Sequence, residues 1–332
     1  MRYFMVYNTF NINISHNYSI LIYIKMQTID QAGEFLYTAL FDSENKEEDL
    51  LSIVLSFDSN HRQAIRKYYE LRFNPDGLAE DLKKQLSGNF RDALVHLFSS
   101  PVEYDAFELK RAIKGFSVEN ECVYEIIANR PYWMLQEIKK KYLELYNKEL
   151  EADLEKNFPQ PIFKNLQILL NTERRVNPKP DATKCQEDAK TLYSVSKEEM
   201  WGTDENIFKN IFALSSPEEI VLTLRYFYKK TGTNFMKAVE SKMSSKMKVF
   251  FKELLYNVVI PPEICAEKVR TAVKGIGTDT NMLERILITR NELDMEEIRK
   301  HYLNKYGVEM QKDITSDTSG AYQKLLLGLA EK

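Results

Sequence analysis

The chain predicts an all-α protein built from four helical repeats, and three observations carry that prediction. When the sequence is laid against itself with Thr278 as anchor, the same residue types return at the same offsets from Asn45, Val118 and Thr203. Five positions after the anchors stand Leu50, Val123, Phe208 and Leu283; eight after, Ile53, Ile126, Ile211 and Ile286; nine after, Val54, Ile127, Phe212 and Leu287, a spacing that marks one face of a helix. Twenty-four positions after come Tyr69, Tyr142, Phe227 and Tyr302, an aromatic column within further helical spacing and therefore predicted core. Composition agrees, since 11 glycines and 10 prolines among 332 residues leave little material for turn-rich architectures.

Taken in order, residues 1–28 form a variable N-terminal segment outside the repeat. Residues 3–7 and 20–24 are aromatic or aliphatic around an Asn-rich middle, without the basic start or small-residue cleavage site of a signal peptide. Met26 is an alternative start, and the segment reads equally as a functional arm or as upstream translated sequence. The sequons at Asn13 and Asn17 matter only in a secretory setting. Repeats are assigned to 29–100, 101–171, 186–260 and 261–332. Ser99-Ser100-Pro101 and Pro261-Pro262 separate neighbours, because proline ends one helix and opens the next. Residues 172–185, with Arg174-Arg175, Pro178, Pro180 and Asp181, lack helical periodicity and read as a connector dividing the chain into two halves.

Composition also limits function. Net charge is -3, and outside the extreme N-terminus no stretch lacks charges for long enough to cross a bilayer. Cys122, Cys185 and Cys265 have no Cys-x-x-Cys spacing and are expected to be free thiols in a reducing compartment, the cytosol. His16, His61, His96 and His301 are scattered without zinc spacing, and no phosphate-cradling Gly-Lys-Ser/Thr loop occurs. Lys139-Lys140-Lys141 is expected to be a solvated helix face rather than a nucleic-acid contact. No enzymatic activity and no nucleic-acid partner are expected.

The one chemical motif is Lys274-Gly275-Ile276-Gly277-Thr278-Asp279, with a distant acid in Asp317-Thr318-Ser319-Gly320. A Gly-x-Gly turn lets successive carbonyl oxygens point at one spot, and a carboxylate from elsewhere supplies the charged oxygen ligand that a hard cation such as Ca2+ prefers. Alone, such a turn is usually only a helix connector; the repeat behind it favours the ion.

At these residues the chain resembles the annexin family. The resemblance is carried by Tyr104-Asp105-Ala106 leading to Lys114-Gly115, by Asp188-Ala189 leading to Trp201-Gly202-Thr203-Asp204-Glu205, and by Lys274 to Asp279 with Asp317 to Gly320. It covers about nine tenths of the chain, and the first copy is the most divergent, with Asp42-Ser43-Glu44-Asn45 in place of the turn. The resemblance implies four repeats of about five helices packed as a curved disc, and a cytoplasmic protein that docks peripherally on acidic phospholipid membranes through Ca2+. It assigns the main calcium ligands to the backbone oxygens of Val273, Gly275 and Gly277 and the carboxylate of Asp317; Thr278 is read as a helix cap rather than a ligand, because its hydroxyl can satisfy free amides of the following helix. Arg130 and Arg290, twelve positions after their anchors, are implied to make structural polar contacts.

The remaining copies depart from that pattern. At the acid position the second copy has Asn157, the third Lys242 and the first Gln85, or Lys84 in strict register. Only the fourth site is intact; Gly115, Met200 and Gly202 are left as weaker calcium ligands. At the turn tips, Phe116, Trp201 and Ile276 are apolar and expected to contact the membrane, as is Lys242, whose ammonium has the donors to bond loop carbonyls or a lipid phosphate. A rival reading remains open, in which degenerate repeats form a scaffold for cytoskeleton or other proteins with little calcium dependence. Lateral self-assembly is compatible with either.

Overall fold

A computed structural model describes residues 28–115, 117–176, 179–197, 203–240, 242–259 and 261–332. Twenty α-helices and no strand occur among them. They are α1 (Ile29–Phe41), α2 (Lys46–Ser56), α3 (Ser59–Arg72), α4 (Leu78–Gln85) and α5 (Gly88–Phe98), then α6 (Pro101–Ile113), α7 (Asn120–Asn129), α8 (Tyr132–Tyr146), α9 (Leu150–Asn157) and α10 (Gln160–Leu170). A third set follows as α11 (Ala182–Val195), α12 (Glu205–Phe208), which runs into a π-helical turn over Lys209–Ala213, α13 (Pro217–Thr231), α14 (Phe235–Glu240) and α15 (Ser245–Val259). The last comprises α16 (Pro261–Lys274), α17 (Thr280–Arg290), α18 (Met295–Tyr306), α19 (Met310–Asp317) and α20 (Gly320–Glu331).

Local chemistry sets the helix ends. Ser100 and Ser216 each form a capping box with the glutamate three residues on, and a proline occupies the first helical position of α6 and of α13. Helices α8, α13 and α18 all end in a left-handed residue at the same repeat register, Asn147 (φ 49°), Gly232 (φ 69°) and Gly307 (φ 69°). Helix α11 starts at Ala182, capped by Asp181, so the final residues of the expected connector are helical. In every repeat the first helix packs on the third.

All twelve apolar positions predicted for the helix face are buried, and Tyr69, Tyr142, Phe227 and Tyr302 are wholly enclosed. The described residues form two compact units, one of those up to Phe98 with Ile314–Lys332, the other of those within Ser99–Asp313. Their boundary therefore does not fall at the connector. In the first unit α20 packs on α2 and α5, and a Cβ on Gly328 would stand 2.5 Å from Leu55, so the final helix belongs with the first repeat. In the second unit one apolar core runs through repeats 2 and 3, with Tyr124 of α7 edge-on to Phe250 of α15 at 5.1 Å.

A buried ionic cluster joins three repeats inside that second unit. Arg285 of α17, 2% exposed, donates to Glu108 of α6 at 3.0 Å and to Glu125 of α7 at 3.3 Å. Lys268 of α16 binds Glu125 at 2.7 Å and Glu253 of α15 at 2.9 Å. Charges this deep are tolerable only when paired. Burial would raise the Glu125 carboxyl, but Arg285 and Lys268 outweigh it and hold it at about 2.

The lysine run on α8 differs from its expected solvated face. Lys139 pairs with Glu151 at 2.5 Å and Lys141 with Glu144 at 2.9 Å, and both side chains are largely covered; only Lys140 stands out in solvent. The stems lie along the helix while acidic neighbours on α8 and α9 take the ammonium groups. Arg130 reaches back to Asp105 of α6 through two bonds, at 2.6 and 2.9 Å, whereas Arg290 pairs with the nearby Asp294.

Candidate turn for calcium and membrane contact

The fourth-repeat turn grows directly from helix α16. Val273 is buried in the last turn of that helix, Lys274 ends it, and the backbone then runs through Gly275, Ile276 and Gly277 in the open. Gly277 adopts φ +79°, a left-handed conformation that a side chain would strain. A Cβ on Gly275 would meet the Gly277 carbonyl oxygen at 3.6 Å, an ordinary contact, so it is Gly277 that this turn requires. The Asp279 amide closes it by donating to the Ala272 carbonyl at 2.9 Å. Val273, Gly275 and Gly277 are thus brought together in one loop, with Ile276 fully exposed at its tip.

Helix α17 then begins at Thr280, and its cap is Asp279, not Thr278. The Asp279 carboxylate accepts from the Met282 amide at 3.0 Å, whereas Thr278 stands one residue too early for its hydroxyl to take the N-cap position. Asp204 caps α12 in the same register, accepting from the Ile207 amide at 2.9 Å.

Asp317 is the last residue of α19, half-buried, and is assigned to the first compact unit. Just beyond it Thr318 donates to the Ile314 carbonyl at 2.7 Å and Gly320 takes φ +65°, so the chain turns sharply after the carboxylate. Among the described residues no three His, Cys, Asp or Glu side chains are grouped to hold a metal. The donors that the turn itself offers are the backbone carbonyls of Val273, Gly275 and Gly277, oxygen chemistry suited to a hard cation.

The other acid positions are engaged in other ways. In the first repeat Lys46 donates to Gln85 Oε1 at 3.0 Å, and Ser43 braces the Asp42–Asn45 turn, accepting from the Asn45 amide at 3.0 Å while donating to Asp49 at 2.6 Å. In the second, Asn157 turns its amide back onto the Asp153 carbonyl of its own helix at 2.7 Å, while Gly115 takes φ +130°. Arg111 clamps the end of that turn by binding both oxygens of Glu119. In the third, the Lys242 ammonium donates to the Lys197 carbonyl at 2.6 Å, at the end of the segment leading into the turn. Phe116, Met200, Trp201 and Gly202 lie outside the described residues, as do residues 1–27 with Asn13, Asn17 and Met26.

Sequence reasoning missed a hydroxyl–carboxylate pair that recurs in three repeats. Tyr142 donates to Asp153 at 2.7 Å and Tyr302 to Asp313 at 2.5 Å, while Tyr69 donates to Asp81 at 2.8 Å. Burial would raise the Asp153 and Asp313 carboxyls, but hydrogen bonds from Lys110 and Tyr142, and from Lys274 and Tyr302, hold them below the ordinary carboxylate range. In the third repeat the corresponding residues are Phe227 and Ala238, so hydroxyl and carboxylate are lost together. Self-alignment eleven positions past the aromatic column, twelve in the first repeat with its one extra residue, would have revealed the pairing.

The annexin family model matches residues 31–97, 104–159 and 265–329. The chain belongs to the annexin family. It is 33% identical to mouse annexin A6 over 304 residues, 90% of this chain but 44% of that longer protein. With human annexin A3 it shares 31% identity over 295 residues, 89% of this chain and 91% of that one. Among solved structures, annexin III superposes with a TM-score of 0.85 at 30% identity, covering 92% of this chain and 94% of the other. The fold is also shared with a calcium-bound annexin (Sm)1, at a TM-score of 0.81 and 23% identity over 92% of this chain and 90% of that one. Annexins are generally calcium-dependent phospholipid-binding proteins. No described helix of this annexin is long and apolar enough to cross a membrane.

Proposed function

We propose that this annexin is a cytoplasmic protein that docks peripherally on acidic phospholipid membranes through Ca2+ at its fourth-repeat turn. The carbonyls of Val273, Gly275 and Gly277 and the carboxylate of Asp317 are the protein's ligands in this reading, with lipid phosphate oxygens completing the ion's shell. Gly115, Met200 and Gly202 belong to weaker sites. One observation carries the reading: an apolar side chain, Ile276, stands fully exposed at the tip of a glycine turn closed by the Asp279–Ala272 hydrogen bond. Such exposure favours burial in the interfacial zone, which contributes on the order of 1.5–3 kcal/mol for a side chain of this size. Trp201 and Phe116, at the same register, are the further membrane contacts, and Lys242 adds a fixed positive charge beside the third turn. A chain of net charge -3 gains nothing from an anionic leaflet by itself, so the divalent ion is what reverses the sign locally. The calcium-bound state of the annexin (Sm)1 relative supports this choice of ion.

Co-sedimentation with phosphatidylserine vesicles tests the proposal. Pelleting that requires calcium, reverses with chelator and is strongly reduced by Asp317→Ala is the expected result. Pelleting that ignores calcium, or an Asp317→Ala variant that binds like the parent, overturns it. A second reading, a scaffold for cytoskeleton or other proteins, draws support from the first three repeats, where Gln85, Asn157 and Lys242 are engaged by protein groups. Calcium-independent pelleting with filaments is its signature.

A further inference from the structure

One turn before Asp317, helix α19 carries Asp313, almost fully buried. The Tyr302 hydroxyl donates to its Oδ2 at 2.5 Å, Arg270 pairs with the same oxygen, and the Lys274 ammonium holds Oδ1 at 2.8 Å. Arg270 and Lys274 lie one turn apart at the end of α16, and Arg270 also rests on the Tyr306 ring with 4.9 Å to its centroid. Lys274 is the residue from which the backbone enters Gly275-Ile276-Gly277. A single carboxylate is therefore gripped on both oxygens by the helix that launches the turn.

The other repeats of the second unit bear on what this grip does. In the second, Lys110 and Tyr142 both bind Asp153 Oδ2, each at 2.7 Å, reproducing the Arg270–Tyr302–Asp313 part. In the third, Val195, Phe227 and Ala238 occupy those registers, and the polar grip is gone as a unit. There, Lys242 bonds the Lys197 carbonyl instead, an ammonium again joining the ends of the corresponding helices but from the opposite side. The second repeat also carries a lysine at the mouth of its turn, Lys114; in the fourth, which keeps an acid at the ligand position, the corresponding Lys274 reaches the carboxylate and completes a four-residue arrangement.

We propose that Arg270, Tyr302, Asp313 and Lys274 form a positioning device for divalent-cation binding at the fourth-repeat turn, holding the mouth of the turn against the helix that ends in Asp317. The proposal deepens, and rests on, the reading of that turn as a calcium site. Its physical content is pre-organisation: ligands already held near their binding arrangement lose less freedom when the ion arrives. Coulomb's law gives the opposite sign for Lys274, because deleting a positive charge beside a cation site should by itself tighten binding. The two effects are thus separable by direction.

The test is calorimetric titration of the full chain with calcium alone, without lipid, alongside thermal melting of each variant. Lys274→Met is expected to weaken calcium binding about tenfold, as loss of an outer-shell support does, while Lys274→Arg keeps binding within about twofold of the parent because the charged donor remains. Tyr302→Phe, which changes no charge, should weaken binding about threefold, the effect of one net hydrogen bond, and it serves if the lysine variant does not fold. Unchanged or tighter binding by Lys274→Met or, where that variant does not fold, unchanged binding by Tyr302→Phe overturns the positioning role, provided that Asp317→Ala abolishes the calcium heat. Absence of calcium heat in the parent, or heat that survives Asp317→Ala, overturns the calcium-site reading itself and the positioning role with it.

Discussion

The buried hydroxyl–carboxylate pair of the second repeat permits a quantitative test, because the chain already contains its apolar counterpart. Tyr142 is wholly enclosed, and its hydroxyl meets Asp153 at 2.7 Å; the same oxygen accepts from Lys110 at 2.7 Å. Tyr142→Phe removes one hydrogen bond to a charged acceptor that retains its lysine, a loss of about 1.5 kcal/mol. Asp153→Ala strips the acceptor from both donors and leaves the phenol hydroxyl buried without it, about 3 kcal/mol. The double variant reproduces the Phe227 and Ala238 arrangement of the third repeat. With no acceptor left, loss of the hydroxyl carries no further penalty and removes an unpaired buried donor, so the double variant should cost at most about 3 kcal/mol rather than the additive 4.5 or so, a coupling of at least about 1.5 kcal/mol. Urea denaturation followed by tryptophan fluorescence suits the measurement, since Trp133 and Trp201 both fall within Ser99–Asp313. Losses that add to within about 0.5 kcal/mol would show that the two side chains do not act as a pair.

Two further outcomes follow from the charged groups. The Glu125 carboxyl is held at about 2, below its ordinary 4.5, so its pairing with Arg285 and Lys268 stabilises the fold at neutral pH and is lost as pH falls through the window from about 4.5 to about 2. Glu125→Gln should therefore lower the melting temperature at pH 7 while flattening its decline across that window; a parallel decline in parent and variant would contradict the assignment. Lys242→Glu replaces an ammonium bonded to the Lys197 carbonyl with a potential ion ligand, and should lower the calcium concentration needed for vesicle binding. An unchanged vesicle titration would rule out a role for that charge.

The arrangement of four helical repeats was legible in the amino-acid order because burial imposes periodicity. Each of the columns headed by Leu50, Ile53, Val54 and Tyr69 had to present one helix face to a core, and every member is enclosed. The glycine turn was legible for a similar reason, since Gly277 at φ +79° is a local backbone requirement written in one residue type. Tertiary structure alone decided which polar groups meet. Glu108, Glu125, Glu253, Lys268 and Arg285 are ordinary charged residues in sequence, far apart along the chain, and only helix packing makes them one buried cluster. Likewise Asp313 carries no mark of its own until folding sets it between Tyr302 and Lys274, and Lys139 looks solvated until Glu151 approaches it. Apolar burial is a property of single positions, repeated; an ion pair or hydrogen bond is a property of two, and their separation in space is set by the fold.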